Sequence, residues 1–303
     1  MKVAIIGAGA MGCLFAARLT LSGNTVYLID VNPATLSTIL SDGIRLDMQR
    51  GEVEQVRVPI HRAGELHEDV DLLLILTKGS ATEAAINASS YLVGVNTWVL
   101  TLQNGLGNAA LLAKHIKAPQ ILQGITTIAA DLASAGVVSS SGQGMIYWWS
   151  FTGREEPFMG QLQRVLVDAG LHSCLDTDVE VRIWEKVAFN AALNGLCTLL
   201  DCIVGELDRK VQGQHLIENI VSECCWVAKQ ECVAVDQNRV LASISHAIHD
   251  QAHHLPSMLQ DRRAGRSTEV ESIHGAIVCI ARQHHLQVPV LETLYRLLML
   301  GEV

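Results

Sequence analysis

Apolar residues follow two rhythms along this chain. In the first half they form short strand-like runs at Lys2–Ile6, Thr25–Ile29, Val70–Leu76, Thr97–Leu102 and Gln120–Ile125. Runs of this length, rich in β-branched residues and leucine, are what a strand buried on both faces requires. Helix-compatible stretches lie between them. The clearest is Ala10–Leu21, interrupted only by Gly12 and closed by the stop signal Gly23-Asn24. Strand and helix in alternation predict an α/β fold built on a doubly wound parallel sheet. Val137–Ser141, Met145–Thr152 and His172–Leu175 predict a last group of strands, with antiparallel pairing expected among them. From Val179 to Val303 the pattern is almost wholly helix-compatible, punctuated by Gly195, Gly205, Pro256 and Pro289. The expected division is an α/β domain over 1–176 and an all-helical domain over 177–303, with no internal repeat, low-complexity stretch or flexible linker.

The turn after the first run reads Gly7-Ala8-Gly9-Ala10-Met11-Gly12, and Asp30 stands at the end of the second run, 18 residues beyond Gly12. Gly7 permits a tight turn, Gly9 lets backbone N–H groups approach a pyrophosphate, and Gly12 lets the helix pack closely on the strand. The phosphates would sit at the helix N-terminus, where unpaired N–H groups and the dipole favour negative charge. A glycine pattern alone is a weak signal. Here strand, glycine loop, helix, second strand and acidic residue fall in register, which points to a Rossmann-type dinucleotide site. Gly7, Gly9, Ala10, Met11, Gly12 and Asp30 are its candidate residues.

Composition narrows the class. The chain has 303 residues, 49% hydrophobic and 17% charged, enough for two domains with real cores. A net charge of −9 argues against nucleic-acid or anionic-membrane partners, without excluding an anionic small molecule. Asn190, Asn194 and Asp201 interrupt the longest apolar stretch, so no membrane span is expected. The glycine pattern occupies the place where a signal peptide would carry its apolar core, so the N-terminus reads as mature protein. Eight scattered cysteines without a Cys-x-x-Cys pair fit reduced thiols in a cytoplasmic protein. The pairs His253-His254 and His284-His285 point in different directions on a helix and lack companion ligands, so no metal site is expected.

Three further constellations carry polar chemistry. Thr77-Lys78-Gly79 follows the run Val70–Leu76 and would stand at the carboxyl edge of the sheet, where ligands bind. Lys78 there is either a cofactor contact or a solvated loop lysine. Gln103-Asn104-Gly105-Leu106-Gly107-Asn108 follows Thr97–Leu102 on the same edge, and its Asn-Gly step is a turn signal. In the segment Trp184–Leu200, Lys186, Asn190 and Asn194 recur every four residues and form one polar stripe on an apolar helix. Buried polar groups left without partners cost about 1–3 kcal/mol each, so the stripe calls for a polar ligand or a structural network. Beyond it, Pro256 fits before a helix start, while by spacing alone Ser257-Met258-Leu259-Gln260-Asp261-Arg262-Arg263 and Gly265–Glu271 read as an exposed charged turn.

With these residues in view, the chain resembles the ketopantoate reductases (2-dehydropantoate 2-reductases) over nearly its whole length. The resemblance is carried by the opening glycine motif, Lys78, Gln103-Asn104-Gly105, the Lys186, Asn190 and Asn194 stripe, and Ser257–Asp261 leading to Thr268-Glu269. The lysine–asparagine element is shared with the wider 6-phosphogluconate-dehydrogenase-like group; the serine-to-glutamate run is more specific. The resemblance implies that group's two-domain fold, with an active site in the cleft, and hydride transfer from a nicotinamide to a 2-oxo acid. The reaction would take 2-dehydropantoate to (R)-pantoate. It implies Lys186 as general acid and Glu269 as the group orienting lysine and substrate. Asn190, Asn194 and Ser257 would hold substrate carboxylate or hydroxyl groups, and Asn104 would contact both substrate and cofactor.

Two features depart from the biosynthetic pattern. Those enzymes meet the 2′-phosphate of NADPH with an arginine near the end of the second strand, where this chain has Asp30-Val31-Asn32. An aspartate accepts from ribose hydroxyls and repels a 2′-phosphate, so NAD(H) is the expected cofactor and NADP(H) the alternative. Tyr147-Trp148-Trp149 is unusual as well; packing of the tryptophans between the last strands and the helical domain is the favoured reading, and if they lined the cleft they would suit a bulkier, aromatic 2-oxo acid. The alternative function is therefore an NAD-dependent D-2-hydroxyacid dehydrogenase with another substrate. A non-catalytic nucleotide sensor should lack the acid or its carboxylate, and both Lys186 and Glu269 are present. The segment Val211–Cys232 carries apolar residues enough for a subunit contact, and a homodimer is the expected assembly.

Overall fold

The computed structural model describes residues 1–48, 51–209 and 211–302. They form two compact units: Met1–Gln103 with Asn108–Val179, and Asn104–Gly107 with Glu180–Val303.

The first unit is built on an eight-stranded sheet. Its chain order is β1 (Lys2–Ile6), α1 (Ala10–Leu21), β2 (Thr25–Ile29), α2 (Pro33–Asp42), β3 (Ile44–Met48), β4 (Glu52–Val56), β5 (Ile60–His61), β6 (Leu72–Ile75), α3 (Thr82–Ser89), β7 (Trp98–Thr101), α4 (Asn108–Leu112), β8 (Ile121–Thr126), β9 (Asp131–Ser134), β10 (Val137–Ser140), β11 (Ile146–Ser150), α5 (Pro157–Asp168) and β12 (Ser173–Leu175). The large sheet runs β12-β11-β8-β7-β6-β1-β2-β5. All neighbours pair in parallel except β8 with β11. Antiparallel pairing among the final runs is not found: β11 is antiparallel to the earlier β8, β12 returns parallel to β11, and β10 joins a different sheet.

Burial explains the apolar runs. Val3 and Ile5 of β1 pack into one core while Ala4 and Ile6 pack into another on the opposite face; Leu72 and Leu74 of β6 separate from Leu73 and Ile75 in the same way. Strand order reverses at β1, with β2 on one side and β6 on the other, and this is where an open α/β sheet binds its ligand.

A second sheet, β4-β3-β10-β9, was not visible in the apolar pattern. Its strands alternate: Ile44 and Leu46 are buried while Arg45 is exposed. Val137–Ser140 belongs to this sheet and pairs in parallel with β3, more than 80 residues earlier in the chain. Helix α1 packs against β3 and β10 as well as β2.

The second unit is helical: α6 (Val179–Leu200, its first residue counted with the α/β unit), α7 (Val211–Gln230), α8 (Gln237–Asp250), α9 (Ser257–Arg263), a π-helical turn at Glu271–Gly275, α10 (Ala276–Gln283) and α11 (Pro289–Met299). One continuous core fills it, from Trp184 on α6 to Leu298 on α11. Gly195 does not break α6; it leaves room for a neighbouring side chain, as described below. Most apolar residues of α7 face this core, leaving Val211, Leu216 and Trp226 exposed. No helix among the described residues is long and apolar enough to cross a membrane.

Candidate active site

In the α/β unit the polar candidates gather at the carboxyl ends of β1, β2, β6 and β7, whose last residues are level: Ile6 with Ile29, Ile6 with Ile75, and Ile75 with Thr101. Gly7 has φ +101°, a conformation that only glycine adopts without strain, and its N–H donates to Ile29 O at 2.8 Å. A Cβ on Gly12 would overlap the Gly7 carbonyl, so α1 can leave the strand this closely only with glycine there. Gly9 is exposed, and a Cβ on it would meet nothing within 4 Å. Gly9 at the N-cap brings no capping side chain to the first turn of α1, which leaves the space over Gly9 open to an anion. Asp30 accepts from Ala8 N–H through Oδ2 at 2.7 Å and from Asn32 N–H through Oδ1 at 2.8 Å. That ties the acidic residue to the glycine loop while it stays partly exposed. This cradle fits a dinucleotide.

Gln103 knits the neighbouring loops together. Its Nε2 donates to Thr77 O at 2.7 Å and to Thr82 Oγ1 at 2.8 Å, while Oε1 accepts from Thr101 Oγ1 at 3.0 Å. A buried carboxamide with both ends occupied fixes the turn that carries Lys78 relative to β7. Lys78 itself is half-buried and precedes the 3₁₀ turn Gly79–Ala81.

In the helical unit the chemistry centres on α6. Lys186, Asn190 and Asn194 stand one turn apart on one face, with Asn190 and Asn194 only 8% and 7% exposed. Burial depresses the Lys186 ammonium to about 8, and the Glu269 carboxylate acts in the opposite direction. Glu269 is held in turn: Asn104 Nδ2 donates to its Oε2 at 2.9 Å. The turn Asn104–Gly107 reaches it because Leu106 N–H donates to Ser272 O at 2.9 Å. Gly105, at φ +93°, makes that contact possible, since a Cβ there would overlap the Ser272 carbonyl. The Glu269 carbonyl accepts from Ile273 N–H at 3.0 Å and Ser272 Oγ at 3.2 Å, which anchors its backbone on the π-helical turn. The arrangement is an ammonium near neutrality beside an oriented carboxylate, suited to proton transfer.

The family profile described as ketopantoate reductase PanE/ApbA matches residues 3–153, and the profile of the same family's C-terminal region matches residues 178–302. The chain belongs to the ketopantoate reductase family. It is an oxidoreductase of that group. A 2-dehydropantoate 2-reductase of Halobacterium salinarum is 32% identical over 100% of this chain and 99% of its own. Among solved structures, a D-mandelate dehydrogenase in ternary complex with NADH and anilino(oxo)acetate superposes with a TM-score of 0.95. It is 30% identical and covers 100% of this chain and 98% of the other. A putative 2-dehydropantoate 2-reductase from Enterococcus faecalis is 34% identical at TM-score 0.75, covering 100% of this chain and 98% of its own.

Within this ketopantoate reductase framework, the structure brings together Lys186, Glu269 and Asn104, and separately Asp30 with the glycine loop. Ser257 lies exposed at the first position of α9. The run Ser257–Arg263, which spacing reads as an exposed turn, is a helix that buries Met258 and Leu259. Trp148 is fully buried, its indole N–H on Ser173 Oγ at 2.8 Å, and Trp149 packs against the same core, which is built from residues of the α/β unit and not, as expected, from the helical domain. Sequence reasoning did not single out Ser272 or His274. His274 is wholly buried, its Nε2 meets Ala191 O of α6 at 3.0 Å, and a Cβ on Gly195 would come within 2.5 Å of that nitrogen. The Gly195-to-His274 fit leaves no sequence signal beyond a glycine inside a helical pattern.

Proposed function

We propose that this chain catalyses NADH-dependent reduction of 2-dehydropantoate to (R)-pantoate. The observation that carries this reading is Lys186, desolvated yet still cationic near neutral pH beside a carboxylate fixed by Asn104. Lys186 Nζ donates a proton to the ketone oxygen as that oxygen gains negative charge. Glu269 keeps the ammonium from losing its proton too readily and accepts a substrate hydroxyl. Asn190, Asn194 and Ser257 bind the substrate's carboxylate or hydroxyl groups, and Asn104 contacts both substrate and cofactor.

Gly7, Gly9, Ala10, Met11 and Gly12 hold the pyrophosphate through backbone N–H groups, and Lys78 reaches a phosphate or ribose. Asp30 accepts from the adenosine ribose hydroxyls and repels a 2′-phosphate, so NADH is preferred over NADPH. When bound, the nicotinamide supplies the hydride. The NADH held by the D-mandelate dehydrogenase relative is consistent with that choice.

The same relative favours one second reading, an NAD-dependent D-2-hydroxyacid dehydrogenase for a bulkier aryl substrate. The buried Trp148 and core-packed Trp149 are not what would select one, so this reading rests on the likeness alone. The exposed Val211, Leu216 and Trp226 on α7 are the apolar surface for the homodimer we propose, to be checked by light scattering.

Initial rates of NADH and NADPH oxidation with 2-dehydropantoate and phenylglyoxylate test the assignment. Fast turnover of 2-dehydropantoate with NADH supports it. Preference for phenylglyoxylate moves the chain to the second reading, and better efficiency with NADPH overturns the role given to Asp30.

A further inference from the structure

The residue before Glu269 is held by a second carboxylate, one to which the proposed reaction gives no role. Glu302 lies just beyond α11, half-buried, its N–H donating to Met299 O at 3.2 Å. Its side chain reaches back to Thr268, the residue before Glu269. Thr268 Oγ1 donates to Oε1 of Glu302 at 2.6 Å, and Thr268 N–H donates to Oε2 at 3.1 Å. Thr268 is 7% exposed, so the donor end of this pair of bonds is sheltered from water. A hydroxyl has one proton to give. With that proton committed to Glu302, the oxygen is turned to accept from Val270 N–H, which it does at 3.2 Å. Glu269 is therefore gripped on both sides, by Thr268 locked onto Glu302 and by Val270 locked onto Thr268.

We propose that Glu302 is a positioning residue for the reaction: it clasps Thr268 and so aims Glu269 at Lys186 and Asn104. This inference rests on the roles given to Lys186 and Glu269 above. Charge-assisted bonds to a carboxylate are short and strong, and two in parallel fix orientation as well as distance. Without them the Thr268 hydroxyl is free to rotate, and the backbone leading into Glu269 loses one of its restraints. The Glu269 carboxylate would then sit less squarely beside the ammonium and raise its pKa less.

The test compares kcat, KM and pH profiles of wild type, Glu302→Ala, Glu269→Gln and the double variant, with NADH and 2-dehydropantoate. Glu302→Ala is expected to lower kcat by about tenfold, as small misplacements of catalytic groups do, with KM for NADH within about twofold. The alkaline limb should move to lower pH. In the Glu269→Gln background the same change should cost less than about twofold, since the group it aims is gone. An undiminished loss in that background means a general structural role and overturns the clasp. So does a Glu302→Ala enzyme with wild-type kcat and pH limb when Glu269→Gln is impaired. Were Glu269→Gln and Lys186→Ala both fully active, the proposed function would fall and the clasp with it. Glu302→Gln keeps the size and one acceptor oxygen; it serves if the alanine variant does not fold, with the same shifts in smaller measure.

Discussion

The Asn104 carboxamide donates to Oε2 of Glu269 at 2.9 Å although 165 positions separate the two residues. The contact joins the turn after β7 to the start of the π-helical segment, and Gly105 lets that turn close against the Ser272 carbonyl. Gly105→Ala should therefore act twice. A Cβ in the left-handed region costs about 1–2 kcal/mol, and overlap with Ser272 pushes Asn104 away from Glu269. We expect a lower melting temperature and kcat reduced by about tenfold or more. Gly107→Ala is the control: φ is +81° but a Cβ there meets nothing within 4 Å, so it should destabilise without the same loss of kcat.

With Lys186 as the proposed general acid, its titration should set the pH dependence of the reaction. Its ammonium is depressed to about 8 by burial, against the pull of Glu269. Reduction needs the protonated form, so kcat should fall as pH rises through about 8. Oxidation of the hydroxy acid needs the free amine and should rise over the same range. Removing the charge that holds the pKa up, with Glu269→Gln, should move both limbs to lower pH. A profile that ignores this substitution contradicts the pairing.

Asp30 should govern the choice of cofactor. Hydrogen bonds to charged groups are worth about 1.5–3 kcal/mol, so Asp30→Ala should lower the ratio of kcat/KM for NADH over NADPH by about ten- to a hundredfold. Because Asp30 also accepts from Ala8 N–H and Asn32 N–H, part of the loss should appear as weaker binding of both cofactors.

His274 should make the fold acid-sensitive. Burial lowers its pKa from the ordinary 6.5 to about 4, so the folded protein keeps it neutral where the unfolded chain takes up a proton. Stability is then lost as pH falls from about 6.5 toward about 4, by up to about 3 kcal/mol at 1.36 kcal/mol per pKa unit. Urea unfolding of wild type and His274→Gln across that range should show a steeper decline for wild type.

How far the sequence announces these features depends on how local their causes are. The glycine loop was legible because Gly7, Gly12, Asp30 and the two flanking strands act within one stretch, and burial on both faces makes each strand a continuous apolar run. The Lys186 stripe was legible for the same reason, as helical spacing alone places Asn190 and Asn194 beside it. The small sheet was not: Ile44 and Leu46 alternate with Arg45 and Asp47, and the strand that covers them in register comes at Val137–Ser140. Nor was the grip of Glu302 on Thr268, because a threonine and a glutamate 34 positions apart carry no mark of being partners. Arg262 reads as one charge among several, yet it donates to Thr198 O and Leu298 O and so joins the ends of α6 and α11.

The most direct test of the account is a single-turnover measurement of NADH oxidation by wild type and Lys186→Ala with saturating 2-dehydropantoate at neutral pH, together with NADH affinity. General acid catalysis contributes about 10²–10⁴-fold, so the variant should lose that much in the hydride-transfer rate while binding NADH within about twofold of wild type. A Lys186→Ala enzyme that transfers hydride at the wild-type rate would contradict the role assigned to Lys186 and the reaction built upon it.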